Sequence, residues 1–363
     1  AFDFVVLLFK KLFSFVFNRK TFNLVMSFLM IVSLAYVTIE TIDPEPAEAS
    51  GAFSCYNSDG KAYYFQSTWS GSTLKIIRAE SGTDGDASDS SNYIQYTGWA
   101  HGNIAEVNSL SMTSDGHMYA VLKTNSNGTQ VYKLPFTSWG ATTSPTNLNV
   151  SLGTGTNNAA SILEKTVSGT TYKYIFTSNA FFNGNTHALR INPSDPEDLT
   201  DVTVNVTGTS ASNNKAKDYA WVSGGPATGG TYDVDFIGYN SSANRLVGAT
   251  VTQNGTWGSS DNFTIVTSFR SSSGLLSNFS NKDSGAVMGF GNGIVYFMDN
   301  KDGDLYRYDA SADTSTGTNS GEVSANPENT MTNSSNTDGA ACGVGDPTTA
   351  SGPSDISSTV SQT

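Results

Sequence analysis

The sequence predicts an all-β fold. The favoured architecture is a β-propeller of about five four-stranded blades, or six in an alternative count, preceded by a signal or anchor helix. Three observations predict it. Strand–turn–strand units recur at intervals of roughly 55 to 60 residues, longer than the spacing of ordinary hairpins. Their turns fall at Gly60, Gly116, Gly169, Gly230 and Gly293, several preceded by Asp or Asn, which supply the backbone a tight turn needs. The composition is 37% hydrophobic and only 14% charged, so Ser, Thr, Asn and Gly must cover the surface, as in exported all-β proteins. A sandwich or barrel with ordinary hairpins is the competing architecture, and it seldom keeps so regular a period.

Residues 1–49 are a different kind of sequence. Lys10, Lys11, Arg19 and Lys20 precede the apolar run from Phe22 to Ile39, and Ala47-Glu48-Ala49 follows as a small-x-small cleavage pattern. This is the pattern of a secretory signal peptide, and the run is also long enough to act as an uncleaved membrane anchor. In both readings the basic side stays in the cytoplasm and the remainder is exported.

The repeats occupy residues 50–343. After each turn comes a strand rich in aromatic and β-branched residues, such as Ala62-Tyr-Tyr-Phe65 or Ile294-Val-Tyr-Phe297. A third strand carries one basic residue among apolar ones: Leu74-Lys-Ile-Ile77, Val131-Tyr-Lys-Leu134, Ala188-Leu-Arg-Ile191 and Leu305-Tyr-Arg-Tyr308. Alternation predicts that these strands are half exposed. A fourth strand is legible at Tyr93–Thr97, Leu148–Leu152, Val202–Val206 and Phe263–Thr267. The fourth repeat is ambiguous, because Asp233–Asn240 and Asn244–Thr250 read either as its second and third strands or as the start of another blade. Residues 344–363 are polar and without periodicity, and read as a flexible linker that is truncated.

The two cysteines bracket the repeats. Cys55 is assigned to the first strand of the first repeat, and Cys342 lies in Thr337-Asp-Gly-Ala-Ala-Cys342, just after the last. A propeller closes by bringing its two ends into one blade, so a Cys55–Cys342 disulfide is expected in an exported domain. Its loop spans nearly the whole domain, for which chain entropy gives at most about 4–5 kcal/mol of stabilisation.

The formal net charge is −13, and residues 1–49, with four basic and five acidic residues, leave −12 for the rest. No basic stripe offers phosphates a partner, so nucleic acid is not expected to bind, and contact with a membrane is expected only through the N-terminal segment. No metal or cofactor is expected. His101, His117 and His187 lack zinc-ligand spacing, and Asp299-Asn-Lys-Asp-Gly-Asp304 has Lys301 where a calcium loop wants an oxygen ligand, leaving at most weak calcium binding. For a glycosidase, Asp218, Asp233, Asp235 and Asp283 are the available carboxylates near strand starts. For a glycan-binding surface, Trp99, Trp139 and Trp221 are the candidate stacking residues, set against the alternative that each packs between blades.

Taken together, the basic leader, the Ala-x-Ala site, the Val107-Asn-Ser-Leu-Ser-Met-Thr-Ser-Asp-Gly-His-Met-Tyr119 hairpin, the Leu305-Tyr-Arg-Tyr-Asp309 strand and the closing Thr337-Asp-Gly-Ala-Ala-Cys342 resemble the uncharacterised N-terminal propeller domains of large surface proteins in Gram-positive actinobacteria. The resemblance covers about Phe53 to Cys342 and its motifs are structural. It implies a cell-surface location and carries no active-site residues with it. The expected function is an extracellular binding or adhesion module without catalytic activity, for a glycan or a surface protein. A propeller glycoside hydrolase and a structural spacer are the alternatives.

Overall fold

The structure, a computed structural model, describes residues 51–80, 88–100, 104–124, 128–153, 159–179, 182, 185–208, 216, 218–222, 234–240, 245–269, 284–291, 293–299, 303–310 and 338–343. The signal or anchor segment 1–49, the tail 344–363 and Gly230 lie outside them. The described chain is built of β-strands, with a short 3₁₀ turn at Ser90–Asn92.

The strands fall into consecutive antiparallel sets. The first set joins β1 (Tyr64–Ser70), β2 (Thr73–Ala79) and β3 (Tyr93–Tyr96). The second joins β4 (Ile104–Met112), β5 (Met118–Thr124), β6 (Gly128–Leu134) and β8 (Thr146–Ser151); the short β7 (Thr142–Thr143) reaches back to pair with β3 in parallel. The third holds β9 (Ala159–Val167), β10 (Thr170–Ser178), β11 (Thr186–Asn192) and β12 (Asp195–Gly208). The fourth holds β13 (Tyr219–Trp221), β14 (Phe236–Asn240), β15 (Arg245–Gln253) and β16 (Asn262–Phe269). The last holds β17 (Ser284–Gly291), β18 (Ile294–Asp299) and β19 (Leu305–Asp309).

β20 (Gly339–Ala341) returns to the beginning of the chain and pairs with β1, Tyr64 opposite Ala341. It takes the place that the sequence assigns to a strand through Cys55. Cys55 instead sits in the hairpin before β1, whose two sides bridge at Tyr56 and Ala62. The C-terminal end of the described chain thus completes the first set, and Cys342, one residue past β20, is disulfide-bonded to Cys55 with 5.7 Å between their Cα atoms.

The third and fourth sets share one eight-stranded sheet. The 14-residue β12 pairs with β11 through its first half and, in parallel, with β16 from Thr203 to Gly208. The edge strands β9 and β13 of this sheet lie against each other, so it is nearly closed and barrel-like. β14 and β15 stand between β13 and β16, as second and third strands of their set rather than the start of another.

The first strands of the sets touch in a circuit: β20 against β4, β4 against β9, β9 against β13, β13 against β17, and β17 against β20. The hydrophobic core is divided accordingly into five clusters, one between each pair of successive sets. Along β5, Met118, Ala120 and Leu122 enter one cluster while Tyr119 and Val121 enter the next. Both faces are therefore buried, which is why these strands read as continuous apolar runs rather than as strict alternation. Each second strand carries a buried Tyr: Tyr64, Tyr119, Tyr174, Tyr239 and Tyr296. A Tyr here fills the space between sheets, and two of them also donate to distant carbonyls, Tyr119 to Pro196 O at 2.8 Å and Tyr64 to Glu80 O at 3.1 Å.

The third strands keep the half-exposed pattern at Lys75, Arg190 and Arg307 and depart from it in β6. Lys133 is buried with its ammonium 3.3 Å from Glu197, and Arg190 is held 2.9 Å from Asp261. Each cation meets a carboxylate of a neighbouring element, Glu197 near the start of β12 and Asp261 just before β16.

The Ser114-Asp-Gly116 turn between β4 and β5 shows why a glycine is needed. Gly116 adopts φ +86°, and a Cβ there would lie 2.1 Å from Phe53 O. The close approach lets Phe53 N–H donate to Gly116 O at 2.9 Å, tying the entry of the chain to the second set.

Candidate functional site

Two places bring titratable side chains together. The first lies where the five first strands converge. Asp218 immediately precedes β13 and Asp338 immediately precedes β20. Each carboxylate accepts the N–H of its own next residue: Tyr219 to Asp218 Oδ1 at 2.8 Å, and Gly339 to Asp338 Oδ1 at 2.7 Å. Each also accepts an N–H from the following set: Val287 to Asp218 Oδ2 at 2.8 Å, and Leu110 to Asp338 Oδ2 at 2.7 Å. The two side chains are hydrogen-bonded to each other.

Burial pushes both carboxyls above the ordinary carboxylate range, Asp338 the more strongly because the charge of Asp218 adds to it. The two carboxyls therefore titrate as a pair, and burial favours their neutral form. Beside it runs a narrow channel of about 20 Å³, lined by Ser111, Ser161, Trp221, Met288 and Ala340 among others, with room for about one water. Carboxyls in direct contact, each saturated by backbone N–H groups, do not leave the roughly 5–9 Å that a glycosidase places between its two acids. What this arrangement does is clasp successive first strands together.

The second place is a cleft of about 90 Å³ between the β4–β5 turn and the start of β10 and end of β11. Asp115 comes from the turn, His117 from its far side and Lys173 from β10. Lys173 Nζ lies 2.7 Å from Asp115 Oδ2 and 3.9 Å from Glu164 Oε1. Thr113 Oγ1 donates to Asp115 Oδ1 and accepts from His117 N–H. Glu164 stands behind the cleft, accepting from Ser114 N–H at 2.7 Å and Ser114 Oγ at 2.6 Å.

The environments of the two carboxyls pull in opposite directions. Burial opposes ionisation of Asp115, but the hydrogen bonds from Lys173 and Thr113 outweigh it and hold its pKa below the usual value. Burial raises Glu164 in spite of Lys173 and Ser114. Burial also lowers His117, leaving a neutral imidazole at neutral pH, and its Nδ1 is buried without a hydrogen-bond partner.

The tryptophans expected as stacking residues take different positions. Trp99 is buried in the cluster between the first and second sets, its Nε1–H donating to Ser72 O at 3.1 Å. Trp221 is buried in the cluster between the third and fourth sets. Neither presents a free ring face. Trp139 is half-buried on the β6–β7 connection, stacked on Phe65 with 6.4 Å between ring centres, and the Arg78 guanidinium lies 4.7 Å from its ring and 5.1 Å from that of Tyr63.

Of the four aspartates considered for catalysis, Asp218 joins Asp338 as described. Asp235 accepts from Val251 N–H at 2.7 Å ahead of β14, and Asp233 and Asp283 lie outside the described residues. Lys301 of the acidic turn also lies outside them, and no group of three or more His, Cys, Asp or Glu residues suited to a metal occurs among the described residues. Sequence reasoning missed Asp338, Asp115, Lys173 and Glu164. Asp338 and Asp218 share an Asp-x-Ala pattern, Asp338-Gly-Ala340 and Asp218-Tyr-Ala220, that could have paired them. Asp115 read as a turn residue only.

No known protein family matches the chain. No characterised protein matches it either.

Proposed function

We propose that residues 50–343 form a five-bladed β-propeller, exported under the direction of residues 1–49, that acts at the cell surface as a binding or adhesion module for an extracellular glycan or surface protein. In this reading β20 is the innermost strand of the first blade and the circuit of first strands is the wall of the central channel. The observation that carries the reading is the disulfide at the seam of the ring. It suits an oxidising compartment and fixes the circuit covalently, as a rigid presenting scaffold requires. The half-buried Trp139, with Arg78 and Tyr63 beside it, supports a glycan as the ligand class.

A glycoside hydrolase is the second reading. The opposite displacements of Asp115 and Glu164 favour it, since unlike environments are how paired carboxyls divide acid and base roles. Incubating the protein on a broad glycan array, with the same spots scored for retention and for cleavage, separates the two. Retention without cleavage is the expected outcome. Cleavage abolished by Glu164→Gln would establish the hydrolase, and a blank array would remove the glycan and hydrolase readings and leave a surface-protein partner or a structural spacer.

A further inference from the structure

We propose that the cleft between the β4–β5 turn and β10–β11 is a subsite for the hydroxyl-bearing edge of a neutral sugar. The inference rests on the glycan reading above and gives it a location. Three groups in the cleft keep hydrogen-bonding capacity to spare. Asp115, with its side chain about half exposed, has lone pairs beyond those used by Lys173 and Thr113. Lys173 has three N–H donors and one close partner. His117, 7% exposed, has its unpartnered Nδ1.

The charges select the ligand. An anion would meet the Asp115 carboxylate, which already occupies Lys173. A cation would meet the Lys173 ammonium. A hydroxyl suits both, because it donates to Asp115 while accepting from Lys173, and a neighbouring hydroxyl reaches a neutral imidazole that can accept or donate. Ile191, Pro193 and Pro196 supply an apolar wall on which the C–H face of the ring rests. At about 90 Å³ the cleft is smaller than the roughly 150 Å³ cavity that holds a benzene ring, so it takes one edge of a sugar and leaves the rest outside. That suits recognition of a chain end.

The test is saturation-transfer NMR of the full chain with glucose, galactose, mannose and N-acetylglucosamine, each alone. The variants are Asp115→Asn, which removes a charge but keeps the turn, and Thr171→Phe, which fills the cleft from its rim. Val266→Thr, at an exposed position on β16 outside the cleft lining, is the control, and melting curves check each fold. The expected result is transfer to at least one of these sugars, insensitive to added salt. Affinity should fall at least about tenfold, the loss of one charge-assisted hydrogen bond, in both cleft variants and stay unchanged in Val266→Thr. Equal affinity in a folded Asp115→Asn and Thr171→Phe would overturn the subsite and leave the glycan reading standing. Glycan-array retention that both variants keep would do the same. No transfer to any sugar together with a blank array would overturn both.

Discussion

Asp218 and Asp338 meet where the first strands converge, and between them the two carboxyls accept four backbone N–H groups from β13, β17, β20 and β4. Both pKa values are raised by burial, so the native state holds a proton that the unfolded chain has released. Stability from this pair is fully present below the ordinary carboxylate pKa near 3.8 and declines as pH rises through the raised values. The melting temperature should therefore fall from pH 5 to pH 9. Asp338→Asn, which keeps a donor toward Asp218 without a titrating proton, should flatten that slope. Melting curves across this range check it, and a slope unchanged by the substitution would assign the pH dependence elsewhere.

Reduction of Cys55–Cys342, or Cys55→Ser with Cys342→Ser, should lower stability by at most about 4–5 kcal/mol, a loss on the order of 10 °C in melting temperature for a domain of this size. Calorimetry with and without reductant measures it. Because β20 also pairs with β1 and its neighbouring Asp338 bonds to Leu110, the reduced domain should still fold.

Gly116→Ala should cost about 2–3 kcal/mol, combining a left-handed φ with a Cβ placed against Phe53 O. Urea unfolding of the variant reads the loss. A change below about 0.5 kcal/mol would mean that the hairpin through Cys55 can move away freely.

Arg190→Met should cost about 2 kcal/mol. It leaves the buried Asp261 carboxylate with Tyr174 Oη, Gln253 Nε2 and Gly258 N–H as donors but without its cation. Asp261→Ala should cost more, since Arg190 and all three donors then lose their acceptor at once. Urea unfolding ranks the two, and limited proteolysis at the Asn254–Ser260 turn should accelerate in both.

The strands were legible because each is written twice, in its own residues and in the repeat. Leu74–Ile77, Val131–Leu134, Ala188–Asn192 and Leu305–Asp309 all became third strands, and the Cys55–Cys342 proximity followed from where the two cysteines sit. What sequence could not show is contact between repeats. Asp115 looked like half of a turn dipeptide, and only the packing of β10 beside that turn brings Lys173 to it. Trp99 and Trp221 have the chemistry of ligand platforms, but the space between sets of strands needs large flat side chains, and burial claimed them first. The parallel pairing of β12 with β16 had no signal at all, because it depends on a 14-residue strand outrunning its partner β11.

The join between Cys55 and Cys342 also determines how the domain would respond to being pulled. Force entering near Gly51 and leaving near Gly343 would otherwise unzip β20 from β1 one hydrogen bond at a time, the weakest mode in which a β-sheet can be loaded. The S–S bond lies directly on that line, so tension passes from one end of the described chain to the other through two residues and bypasses the strands between them. A tether attached at both ends would find the domain inextensible until the bond is reduced. The same domain would then lengthen from its C-terminal strand inward.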